Sequence, residues 1–183
     1  MFTDSRSKKV IFVANCILNQ NNKFDGTANY PGAVTEIMEV LKNSDTGIVQ
    51  MPCPEFICLG LDRGFDGKHE QTLIEENSKI RMLMKREPAY TKMKELVHYT
   101  MTQILEYKKH SFTIKGIVGV NRSPTCGVET TSKDNEEISG EGVFIEELSN
   151  ELKKNSITLD IIGIKAFEPE TAISRVKKLI FNN

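Results

Sequence analysis

The 183-residue sequence has no excess of positive charge, since 24 Lys and Arg stand against 25 Asp and Glu for a formal charge of -1. Without a broad positive field it is not built to wrap nucleic acid, so any nucleotide it handles is small or locally bound. Long apolar runs are also missing: Val10 to Ala14 and Ile161 to Ile164 fall far short of the roughly 20 residues a membrane span needs. Lys8-Lys9 before Val10 resembles the start of a signal peptide, but the roughly 7–15 residue apolar core and the small-residue cleavage site do not follow. The expectation is a cytoplasmic protein with no membrane partner. The loop from Asn15 to Gly26 lacks both GxGxxG and GxxxxGK(S/T), so NAD and ATP find no support. No CxxC pair occurs, which argues against a zinc finger.

What is present is an alternation of strand and helix patterns. Lys9 to Ala14 is a short, β-branched, continuously apolar run, as in a parallel strand covered on both faces. After a polar loop, Pro31 is expected to open a helix with Val34, Ile37, Met38 and Leu41 on one face. Gly47 to Met51 reads as a second strand, halted by Pro52 and Pro54. A charged, glycine-bearing excursion covers about 62–88, with a helix expected over Leu73 to Met84, and a longer helix follows Pro88. Phe112 to Val120 is the third strand, Asn121 to Ser139 a polar loop, Phe144 to Leu152 a helix, Ile157 to Ile164 the fourth strand, and Glu168-Pro169-Glu170 the start of a last helix. The whole chain, 1–183, reads as one α/β domain: a doubly wound parallel sheet of about four strands in the order 2-1-3-4, with helices on both faces.

The four cysteines gain meaning from those strands. At this length a core of ordinary size needs no disulfide staples, so reduced thiols are expected. Cys16 lies just past the first strand, Cys53 just past the second and Cys126 a few residues past the third. In an open parallel sheet the strand C-termini share one edge, where ligands bind at the switch in strand order. Each cysteine alone reads as a small buried hydrophobe or as a ligand. Convergence of all three favours metal or cluster ligation, since a disulfide joins only two. Cys58, flanked by Ile57 and Leu59, reads either as a packed thiol or as an alternative ligand to Cys53. Three thiols with no matching histidine suit an iron-sulfur cluster; His69, His98 and His110 read as surface or packing residues. A 4Fe-4S cube on three cysteines leaves one iron open to substrate.

The neighbours of these thiols offer reactive groups. Pro54 holds the Glu55 carboxylate near the Cys53 thiol, although Glu55 reads equally as a surface or capping acid. Ser123 to Gly127 is a rigid turn whose serine either bonds substrate or cluster sulfur or serves an ordinary loop. Asp25-Gly26 and Arg63-Gly64 either line the crevice or form simple turns.

Ala14-Asn15-Cys16-Ile17-Leu18, Lys23-Phe24-Asp25-Gly26, Cys53-Pro54-Glu55 with Gly60-Leu61, and Ser123-Pro124-Thr125-Cys126-Gly127 together resemble the thiouracil desulfurase family. The family's usual motifs are SACLLG, RYDG, CPExxGGL and SPSCG, in the same order as these four segments. The resemblance implies a Rossmann-like domain with a 4Fe-4S cluster on Cys16, Cys53 and Cys126. It implies removal of sulfur from a small thiolated pyrimidine base, giving the oxo base and sulfide. An open iron would polarise the thiocarbonyl while water adds to the carbon, with Glu55 as the proton-transfer group and Ser123 as its hydrogen-bonding partner. Asp25 and Arg63 would contact substrate. Asn15, Asn19 and Cys58 depart from the usual motifs, and the charged 62–88 excursion offers a segment for a lid over another substrate. Two other classes remain open: a cluster or sulfur carrier without turnover, and a small-nucleotide-binding module with inert thiols.

Overall fold

The computed structural model describes residues 2–64 and 72–181. Its strands, in chain order, are β1 (Lys9–Val13), β2 (Gly47–Gln50), β3 (Thr113–Val120), β4 (Thr130–Lys133), β5 (Glu136–Ser139) and β6 (Ile161–Ile164). The helices are α1 (Asn15–Leu18), α2 (Thr35–Lys42), α3 (Pro54–Leu59), α4 (Leu73–Met84), α5 (Ala89–Lys109), α6 (Val143–Lys154) and α7 (Pro169–Phe181), with a 3-10 turn at Gln20–Asn22. Four strands form a parallel sheet in the order β2-β1-β3-β6, the doubly wound arrangement expected from the alternating pattern. α7 packs on α2, and α5 packs on α6 and on β3; right-handed crossovers in this strand order require these two helix pairs to lie on opposite faces. The β1 side chains Ile11, Phe12 and Val13 are fully buried between these layers, which is why the run is apolar at every position after Lys9. Among the described residues no helix is long and apolar enough to cross a membrane.

The boundaries differ from expectation where the backbone is tied to something else. The segment after Pro31 is not yet helical, because Gly32 O accepts from Gln20 N and Val34 N donates to Ile17 O; α2 begins at Thr35. Pro54 does not merely end a strand. It opens α3 at the first helical position, where a missing N–H costs nothing. Ile157 N closes α6 by bonding Leu152 O, so the fourth sheet strand starts only at Ile161.

The polar stretch 121–139 is not a plain loop. It carries the antiparallel hairpin β4–β5, turned by Asp134 and Asn135, both at positive φ (52° and 64°), as a two-residue type I′ turn requires. The hairpin rests on α4, where Ser78 Oγ accepts from Asn135 N at 2.8 Å. Part of the charged excursion, together with His69, lies outside the described residues.

Candidate functional site

The C-terminal edge of the sheet brings three loops side by side. Ala14 N bonds Val118 O and Met51 N bonds Val13 O, so the chain leaves β1, β2 and β3 in register. After β3 the chain folds straight back, with Val120 N donating to Cys126 O at 2.9 Å. Gly119 permits this approach: a Cβ there would stand 2.6 Å from Cys126 O. Between the loops lies a cavity of about 210 Å³.

Cys16, on α1, Cys53, at the N-terminus of α3, and Cys126 all line this cavity, and all are free thiols. Burial pushes the Cys16 thiol up to about 11 and the Cys53 thiol up to about 12, with the negative charges of Glu55 and, for Cys53, of Cys16 acting in the same direction. Burial also raises Cys126 well above the ordinary thiol range, reinforced by Cys16, Cys53 and Glu55. The three sulfurs are close enough to resist one another's ionisation, so their thiolate forms call for a positive partner. Cys58 is not part of this set. It lies further along α3, half-buried against α5 near Lys92 and Glu95. Among the described residues no group of three or more His, Cys, Asp or Glu side chains is spaced to hold a single metal ion.

Glu55 is the one acid among the described residues that line the cavity. Its Oε1 accepts from Thr125 Oγ1 at 2.5 Å and its Oε2 from Arg63 Nε at 3.4 Å. Arg63 lines the cavity but is 3% exposed, with its guanidinium bound to the protein itself. Nη1 donates to Gly60 O and Leu61 O, and Nη2 donates to Asn22 O. Its backbone at φ 56° lets the side chain turn back over α3. Ser123 lines the cavity as well, and its Oγ accepts from Thr125 N and Cys126 N, shaping the turn that presents the thiol. Asp25 is exposed and does not line the cavity, although its neighbours Phe24 and Gly26 do.

Thr125, Lys23, Arg122, Lys165 and Phe167 line the cavity without having been singled out from the sequence. Lys165 and Phe167 follow β6 at the same sheet edge, so the strand-end reasoning applied to the cysteines reaches them too. Arg122 and Lys165 share the Glu137 carboxylate, at 3.1 and 3.3 Å, and flank the Phe167 ring. His98 is exposed on α5 and His110 pairs with Glu106; neither lines the cavity.

Comparison with known proteins bears on this geometry. A model of the family described as 2-thiouracil desulfurase matches residues 11–158, a span that contains all three cavity cysteines, Glu55 and Ser123. The uncharacterized protein MJ0003 of Methanocaldococcus jannaschii is 29% identical over 157 residues, covering 86% of each chain. No solved structure matches the chain.

Proposed function

Because the chain belongs to the 2-thiouracil desulfurase family, we propose that its cavity removes sulfur from a thiolated pyrimidine base, with a 4Fe-4S cluster held by Cys16, Cys53 and Cys126. The observation that carries this reading is the meeting of three unpaired cysteines from three strand ends around a cavity in which Glu55 is the one acid among the described residues. The donor set fits the cluster. Burial keeps the three thiols neutral, and the irons of a cluster would supply the positive charge that lets all three bind as thiolates. When bound, the cluster supplies an open iron as a Lewis acid for the thiocarbonyl sulfur.

The protein's own groups account for the rest. Overall, a C=S group and water become a C=O group and hydrogen sulfide. Glu55, fixed at both oxygens, takes a proton from the attacking water and returns one as sulfide leaves. The two backbone N–H bonds to Ser123 Oγ keep the Cys126 turn rigid against the reacting carbon. Phe24 and Phe167 give the cavity two aromatic side chains for a planar ring.

The test is anaerobic incubation of the iron-reconstituted protein with 2-thiouracil. Sulfide and uracil are expected in equal amounts, and Cys126→Ala is expected to lose iron and turnover together. Iron binding without sulfide release would identify a carrier. A colourless protein after reconstitution would leave the thiols as packing residues.

A further inference from the structure

The family match and the motif resemblance draw attention to Glu55 and Ser123, but the structure connects them through a third side chain. Thr125 is 1% exposed, and its Oγ1 stands 2.5 Å from Glu55 Oε1, 3.2 Å from Ser123 Oγ and 3.7 Å from Cys126 Sγ. A hydroxyl has one proton to give and two lone pairs to offer. The lone pairs of Ser123 Oγ already accept from Thr125 N and Cys126 N, so its proton is free for Thr125. Thr125 Oγ1 accepts that bond and sends its own proton to the carboxylate, the strongest acceptor within reach. The separation of 2.5 Å between Thr125 Oγ1 and Glu55 Oε1 is that of a short hydroxyl-to-carboxyl hydrogen bond. The direction of the chain is thereby set, from Ser123 to Thr125 to Glu55.

We propose that Thr125 is a positioning residue for Glu55: its buried hydroxyl ties the turn after β3 to the start of α3 and holds the carboxylate in one rotamer on the cavity wall. This rests on the reading of Glu55 as the proton-transfer group. The opposite oxygen is held by Arg63 Nε, so the carboxylate is clamped from two separate loops. Without Thr125 the nearer and shorter of the two clamps is gone, and the carboxylate turns about the remaining bond. Misplacement of a reacting group by about 1 Å costs on the order of 100-fold in rate.

Two variants separate the hydroxyl from the shape. Thr125→Val keeps the volume and loses the hydroxyl, and Thr125→Ser keeps the hydroxyl and loses a methyl. In iron-reconstituted protein acting on 2-thiouracil, Thr125→Val is expected to lower kcat by roughly 10- to 100-fold. KM and the iron content per chain should stay at the wild-type level, and Thr125→Ser should restore most of kcat. Wild-type kcat in Thr125→Val overturns the proposal. Loss of iron in that variant also overturns it, because the hydroxyl would then serve the Cys126 turn. The iron-free protein gives a second reading through urea midpoints of Thr125→Val, Glu55→Gln and the double variant. Non-additive shifts are expected if the hydroxyl binds the carboxylate, and additive shifts contradict the tether. A wild-type protein that binds iron but releases no sulfide refutes the desulfurase reading and the catalytic use of Glu55, while the iron-free cycle still decides whether the tether exists.

Discussion

The sheet and the loops at its C-terminal edge are both buried, but by different chemistry. In β1 and β3, Ile11, Phe12, Val13, Ile117 and Val118 are fully buried, and each is apolar. Beyond that edge, Arg63 and Thr125 in the loops and Thr131 and Ser132 in β4 are 3% exposed or less, and each is polar. The strands are held by burial, which has no preferred direction. The loops are held by directed bonds: Thr131 Oγ1 and Ser132 Oγ of β4 donate to Ser123 O and Arg122 O, and the Arg63 fork donates to three carbonyls. A scaffold of the first kind tolerates changes that keep its volume. A site of the second kind responds to the loss of one donor, because the carbonyl left behind is already out of water.

Three measurements sharpen or break this contrast. Phe12→Ala should have the largest effect on stability, about 3–5 kcal/mol in urea denaturation, since it empties the centre of the sheet. A loss under about 1 kcal/mol would mean that the sheet is not the principal core. Arg63→Met, which keeps the bulk of the side chain, should cost about 2–3 kcal/mol through the carbonyls of Asn22, Gly60 and Leu61. Its turnover should fall further than its stability suggests, because Glu55 loses one clamp. A neutral outcome would show that the loops are not held by these bonds.

The smallest effect is on pH dependence, and its sign follows from the thiols. Cys16 and Cys53 are pushed from 9.0 to about 11 and about 12 because the fold favours their neutral forms. Their contribution to the stability of the iron-free protein is therefore complete below about pH 9 and drains away as pH rises toward 11–12. The urea midpoint should fall between about pH 8 and about pH 10.5, and Cys16→Ala should flatten that slope. An unchanged slope in the variant would assign the loss to other groups.

The same contrast explains what could be read from the sequence. The sheet was legible because β1 and β3 are apolar at nearly every position and because right-handed crossovers leave few strand orders. The position of Cys16, Cys53 and Cys126 beyond strand ends followed from that order alone. The hairpin β4–β5 was not legible, since Thr130, Thr131, Ser132 and Lys133 carry no apolar signal, and the two that are buried, Thr131 and Ser132, are held by hydrogen bonds. Pro54 suggested an interruption, whereas it starts a helix too short to show periodicity. The engagement of Arg63 depends on a positive φ and on three carbonyls from two loops, none of which a linear pattern displays. Thr125 lay inside a recognised motif, but its role as a bridge needs Glu55 from another loop beside it.

The central claim is that three cysteines from three strand ends share one cluster. Iron and acid-labile sulfide analysis of anaerobically purified protein tests it most directly. The account predicts about four irons and about four sulfides per chain, both lost in Cys16→Ala and Cys126→Ala and retained in Cys58→Ala. Protein with no bound iron after anaerobic reconstitution, or full iron content in the Cys16 and Cys126 variants, would contradict it.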